Sequence, residues 1–224
     1  MKENDIIAIP VKTKLEDYTW SELMALSKAR VDFKRYNIKI GDAKDGKVLV
    51  DFGGTYNYNG LIFMYDTKFT SQMNRATPKH EYGHNNSGYA ASEMAEFVET
   101  LYDALEDEEL KSVIREVVVK CNDGGENCHA IHELKCHMFL PSAREVGCEL
   151  YPEWESSVLQ EGIEFAYFET HAEDKRLSFC EFNPWWLRSA TSNNDRLFLC
   201  AAGPDRHRDS LSYNAFRVVA TFVI

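Results

Sequence analysis

The sequence predicts an α+β fold built as one large domain, and three observations carry that expectation. A chain of 224 residues, 44% of them apolar, is long enough to bury one substantial core. Helical periodicity is clearest in the first half, where Met94, Phe97, Val98, Leu101 and Leu105 recur at the spacing of one helix face. The last part of the chain instead carries short β-rich runs, LFLCAA and FRVVATFVI, separated by polar turns, and no internal repeat is visible.

Taken in order, residues 1–17 read as an N-terminal arm or edge strand, with a single domain over 18–224. TWSELMALSKAR is a short amphipathic helix with Thr19 as its N-cap. IKIGDAKDGKVLVDFGGTYNYNGLIFMYD reads as strands broken by Gly and Asp turns, and TPKHEYGHNNSG as a polar loop. Ser92 caps the helix SEMAEFVETLYDAL. Asp107 opens DEELKSVIREVVVK, whose early acids suit a helix N-terminus and whose β-branched end runs into a strand. HMFLPSAREVG is a buried strand and a turn, and the acidic, weakly patterned residues 149–180 read as an insertion.

Composition excludes several classes. A net charge of −11 argues against nucleic-acid binding. No stretch approaches 18 apolar residues, so no membrane span is expected. MKENDIIAIPVKTK has no apolar core of a signal peptide, which points to synthesis in the cytoplasm and to reduced thiols at the six cysteines.

Two motifs suggest metal chemistry. HEYGH places His80, Glu81 and His84 at the H-E-x-x-H spacing of zinc peptidases, which works only on a helix. Pro78, Gly83 and the following Asn85-Asn86-Ser87-Gly88 favour a loop instead. CNDGGENCHAIHELKCH gathers Cys121, Cys128, His129, His132, Cys136 and His137, but its spacings match no common zinc module. A Gly-rich hairpin turn leading into a strand with buried cysteines is the simpler reading.

The tail differs from the rest. Residues 187–224 contain no Lys, Glu, Gln, Met or Trp, whereas the preceding 186 contain 48 of these residues, a rate that would put about ten in the tail. From Pro184 onward the charge is +2, against −13 before it. Core strands explain part of the depletion, but SATSNND and GPDRHRDSLSYN are polar and lack these residues too. Binding surfaces favour Arg, Tyr, Asn and Ser over Lys and Glu. The five missing residues are also those that a codon ending in C or T cannot encode, as expected of a segment diversified from such codons.

Several stretches together resemble a family of phage and prophage proteins with a C-type-lectin-like domain. They are TWSELMALSKA with IKIGD, NNSGYAASEM, LYDAL, ELKSVI, FLPSAREVG, WWLRS at Trp185 to Ser189, and the RVVATFVI ending. Some members of that family are variable proteins of diversity-generating retroelements. The chain departs from the family at Val219-Ala220, where Arg-Pro is usual, with Arg217 as the replacement, and in the insertion over 149–180. The resemblance implies a C-type lectin-like fold of the formylglycine-generating-enzyme-like variant, with a variable ligand-binding region over about 187–224. It implies a ligand-binding display protein rather than an enzyme.

On this reading WWLRS is scaffold, with Arg188 structural. The ligand contacts come from two loops: Thr191, Asn193, Asn194, Asp195 and Arg196, then Asp205, Arg206, His207, Arg208, Asp209 and Tyr213. Arg196, Arg206, Arg208 and Tyr213 are the expected anchors. The calcium signatures of sugar-binding lectins are absent, so neither metal nor cofactor is expected, and the target is a cell-surface protein or a glycan bound without calcium. Attachment to a phage tail, in a virion, and assembly as a homo-oligomer such as a trimer go with that role. The rivals are the zinc peptidase on His80, Glu81 and His84, an oxidase of the formylglycine-generating kind using Cys180 and Cys200, and an invariant structural phage tail protein.

Overall fold

In the computed structural model the described residues are 9–54, 58–79, 83–125, 130–148, 158–169, 179, 183–191, 194, 196–201 and 207–224, with only the backbone for 207–209. Their architecture is α+β, with three short helices beside mostly antiparallel sheets.

Helix α1 covers Trp20–Lys28 and starts as expected, at Thr19. The Thr19 hydroxyl accepts from the Glu22 amide while the Glu22 side chain accepts from the Thr19 amide, a reciprocal capping box. Helix α2, Glu93–Asp103, is capped by Ser92, and α3, Glu108–Val113, by Asp107. Strand β1 is Ala43–Lys44, β2 Lys47–Asp51 and β3 Ile62–Gln72. Strand β4, Val117–Asn122, follows α3 and pairs with β5, Ile131–Cys136, as an antiparallel hairpin. Strand β6 is Met138–Phe139, β7 Trp185–Ala190, β8 Leu197–Ala201, β9 His207–Leu211 and β10 Ala215–Val223.

The main sheet runs β1-β2-β3-β10-β7-β8-β9, and β6 joins β10. Strand β10 lies at its centre, antiparallel to β3 and β6 and parallel to β7. A bulge between Arg217 and Val219 interrupts the β3 pairing. There Arg217 donates to the Lys68 carbonyl at 2.7 Å and pairs with Asp66 at 3.0 Å. One side of the core is an aromatic group in which Phe63 and Phe222 stack at 5.5 Å and Trp20 meets both edge-on.

All six residues of β7 are buried, including Arg188. Its guanidinium donates to both Glu145 oxygens, at 2.5 and 2.8 Å, to the Lys120 carbonyl at 3.0 Å and to the Leu140 carbonyl at 2.9 Å. It also donates to the Glu161 carbonyl. The Tyr58 hydroxyl donates to Glu145 at 2.7 Å, and the Ser142 amide does so at 2.9 Å. Glu145 lies in FLPSAREVG and Arg188 in WWLRS, so the pair joins two segments 43 residues apart. Residues 149–180, the segment read as an insertion, are described only in part. In the part described, Val158, Phe165 and Phe168 are buried, and the Phe165 amide donates to the Glu145 carbonyl at 2.8 Å.

A buried ion pair broken on one side leaves an unanswered charge. Arg188→Met is therefore expected to lower stability by about 3–5 kcal/mol, read from the denaturant midpoint. Arg188→Met combined with Glu145→Leu should recover part of that loss.

Candidate functional site

The residues expected to meet ligand do not all share one end of the sheet: the β7–β8 connection, with Thr191, Asn194 and Arg196, adjoins the turn after β9, with Tyr213, whereas β9 runs antiparallel to β8 and begins, at His207, beside Ala201 at the opposite end. Thr191 is wholly buried, so it supports the connection instead of facing a ligand. Its amide donates to the Leu197 carbonyl at 3.1 Å, closing the loop across its base. Asn194 is half-buried and its side-chain oxygen accepts from the Arg196 amide at 2.8 Å. Arg196 is exposed. Asn193 and Asp195 lie outside the described residues.

The second expected loop, Asp205 to Tyr213, is in large part a strand. His207, Arg208 and Asp209 belong to β9 and face Ala201, Cys200 and Leu199 across the ladder. The physical reason is that β8 is an apolar strand whose outer backbone groups need partners, and the next polar segment supplies them. Asp205 and Arg206 lie outside the described residues. Tyr213 is half-buried, and its carbonyl accepts from the Gln72 side chain. The Ser212 amide donates to the Arg196 carbonyl at 2.9 Å, tying the two segments together.

Sequence reasoning missed what holds this region. Asn85 is buried, and its amide nitrogen reaches the carbonyls of Thr191, Asn194 and Leu197 at 3.1, 2.7 and 2.8 Å. Two hydrogens serve three acceptors, so one contact is shared. Its side-chain oxygen accepts from the Gly125 amide at 2.9 Å. Asn122 does the same one step earlier, accepting from the Ala190 amide at 2.9 Å and donating to the Ala190 carbonyl. Asn74 donates to the His84 carbonyl at 2.7 Å and accepts from the Glu93 amide at 3.0 Å. In the sequence, Asn85 is one polar residue in a polar loop, and nothing local marks a partner more than a hundred residues away.

Of HEYGH, Gly83 and His84 are described, and Gly83 lies against Ser212 in the turn after β9. His80 and Glu81 lie outside the described residues, but Gly83 has φ +72°, a left-handed conformation, and residues 83–85 are not helical. A Cβ on Gly83 would come within 2.1 Å of the Ser212 hydroxyl oxygen. The motif therefore does not run through to His84 as a helix, and its glycine serves close packing against the β9 turn. No cluster that would hold a metal ion occurs among the described residues. Cys121 and Cys136 are buried on the hairpin β4–β5, and burial pushes the Cys136 thiol up to about 12 and that of Cys121 higher still, the opposite of an activated thiolate. His132 pairs with Asp123 at 2.5 Å and His137 with Glu99 at 2.6 Å. Cys128, His129 and Cys180 lie outside the described residues, and Cys200 is buried in β8.

Beneath the face sits Glu161, whose carboxylate accepts from the Asn122 amide at 2.8 Å and from the Ser189 hydroxyl. Burial raises its pKa to about 7, against the opposing pull of Arg188 and these hydrogen bonds.

A family model described as "Domain of unknown function (DUF6273)" matches residues 60–218, and the chain belongs to that family. No curated protein and no solved structure matches it.

The raised carboxyl of Glu161 has a signed consequence. The folded state holds this proton up to about pH 7 whereas an unfolded glutamate releases it near 4.5. Its contribution is therefore complete below that lower value and is lost as pH rises through 7, a change of roughly 3 kcal/mol at most. Glu161→Gln, which mimics the protonated acid, should flatten this part of the stability–pH profile between pH 4.5 and 7. Separately, Asn85→Ala should cost about 1–3 kcal/mol and speed hydrogen exchange at the amides of Thr191 and Ser212 while sparing β10.

Proposed function

We propose that this chain is a ligand-binding display protein of C-type-lectin-like fold, in the formylglycine-generating-enzyme-like variant, resembling the variable proteins of diversity-generating retroelements. Its target is a cell-surface protein, or a glycan bound without calcium, and it acts by binding rather than catalysis. Attachment to a phage tail, with several copies adding their modest affinities, goes with that role.

The observation that carries this reading is how the candidate face is held. Asn85 and Ser212 grip the β7–β8 connection through the main-chain carbonyls of Thr191, Asn194, Arg196 and Leu197. Such contacts are indifferent to the side chains on the gripped residues, so exposed positions such as Arg196 can change without unseating the loop. The gripped segment lies in the part of the chain that lacks Lys, Glu, Gln, Met and Trp. Arg196 and Tyr213 remain the anchors among described side chains, with Asn194 beside them and Thr191 as support. Asn193, Asp195, Asp205, Arg206, His207, Arg208 and Asp209 complete the proposed contact set.

Sequencing the 3′ end of the gene across a natural population tests the proposal. Substitutions should crowd into codons 192–196 and 205–213, at adenines of a near-identical template copy, and spare Trp185, Trp186, Arg188 and β10. Invariant codons across this span would sink diversification and favour a tail protein of fixed specificity.

A further inference from the structure

Strand β4 pairs on one side with β5, and part of its other edge is open. Continuing their antiparallel ladder, the Asp123 amide donates to the Ala130 carbonyl at 2.9 Å. The odd-numbered residues of β4 therefore exchange hydrogen bonds with β5, and the main-chain groups of the even-numbered ones point away from it. Core side chains close the last part of that outer edge. The Asn122 amide donates to Glu161 at 2.8 Å, and the Lys120 carbonyl accepts from Arg188 at 3.0 Å. Before them, the amide and carbonyl of Val118 and the amide of Lys120 have no hydrogen-bond partner among the described residues. A groove of about 420 Å³ runs beside them, with Val118 and Lys120 on one wall and Gln160, Glu161 and Gly162 on the other. An unpaired edge of this kind is a template for a further strand.

The side chains along the edge give that strand its chemistry. Val118 is exposed, and so are Leu159 and Ile163, which bracket the opposite wall. Only Val11 and Phe69 are exposed in the same way among the described large hydrophobics, so bare apolar surface is concentrated at this groove. Lys120 is exposed too, and although Glu133 faces it across the ladder, its ammonium makes no ion pair among the described residues. The acids nearby are already engaged: Glu116 pairs with Lys135 at 4.0 Å, and Glu161 is buried against Asn122 and Ser189. The unanswered charge on the edge is therefore positive.

We propose that this edge of β4 takes up an extended segment of a partner protein as an added antiparallel strand, with an apolar residue opposite Val118 and an acidic residue two positions before it, opposite Lys120. Val118 offers its N–H and C=O together, which one residue of an antiparallel strand can answer with both of its own main-chain groups. The partner side chains then lie on the exposed face of the hairpin, where an apolar group meets Val118 and a carboxylate meets the Lys120 ammonium. The edge and the candidate face use different residues, and neither proposal depends on the other.

The peptide Thr-Glu-Thr-Val-Thr-Lys-Thr, acetylated and amidated at its ends, carries this pattern, and its titration into the nitrogen-15-labelled full chain is the test. Binding should saturate at one peptide per chain, shift the amide signals of Val118 and Lys120 and slow their hydrogen exchange. Methylating the peptide's valine nitrogen, which faces the Val118 carbonyl in this register, should weaken binding at least tenfold. Methylating the next threonine nitrogen, which points away from β4, should change it less than twofold. Lys120→Glu should weaken binding at least fivefold, and a peptide with lysine in place of its glutamate should restore it. Lys120 is exposed and meets Arg188 through its carbonyl alone, so the substitution leaves that contact in place. No saturable binding, indifference to which nitrogen is methylated, or an unchanged affinity in Lys120→Glu overturns the proposal.

Discussion

Arg188 stands in a strand whose every residue is buried, so its charge has to be answered inside the protein. Glu145 answers it with both oxygens, and the carbonyls of Lys120, Leu140 and Glu161 take the remaining donors. Those partners come from β4, from the chain after β6 and from the segment before β7. One side chain therefore fixes how three separate parts of the chain meet. The apolar residues around it gain equally from many arrangements, but a buried guanidinium tolerates only one in which all its donors are used.

That constraint propagates toward the candidate face by short steps. Ser189, next to Arg188, donates to Glu161 and accepts from the Ala143 amide at 2.9 Å. Ala190 is held at both backbone groups by Asn122. Thr191 and the turn beyond it are held by Asn85. From the ion pair outward, rigidity comes first from charge, then from buried amides, and at the surface from main-chain contacts alone. The connection is thereby anchored through its main-chain carbonyls.

Much of the scaffold was legible locally. Thr19, Ser92 and Asp107 start helices because a short polar side chain satisfies amides within three residues of itself. The strands ending in LFLCA and AFRVVATFV follow from apolar and β-branched runs, and the buried role of WWLRS from the size of its aromatics. Less of the site could be read. Thr191 looked like a loop residue and is buried, and the polar stretch from His207 looked like a loop and is an edge strand, because in both cases the deciding partner lies across the sheet. Asn85 carried no sign of its role, since hydrogen bonds over such separations leave no periodicity to detect.

By itself, the sequence determined the helices, the core strands, the α+β class and the altered composition of the tail, because each depends on spacing, capping or residue type within a short window. It took the packed chain to bring Arg188 to Glu145, to set Asn85 against the β7–β8 connection and to turn Gly83 out of a helix onto Ser212. These are encounters between distant segments, and their geometry is set by the one arrangement that leaves the buried charges and amides satisfied.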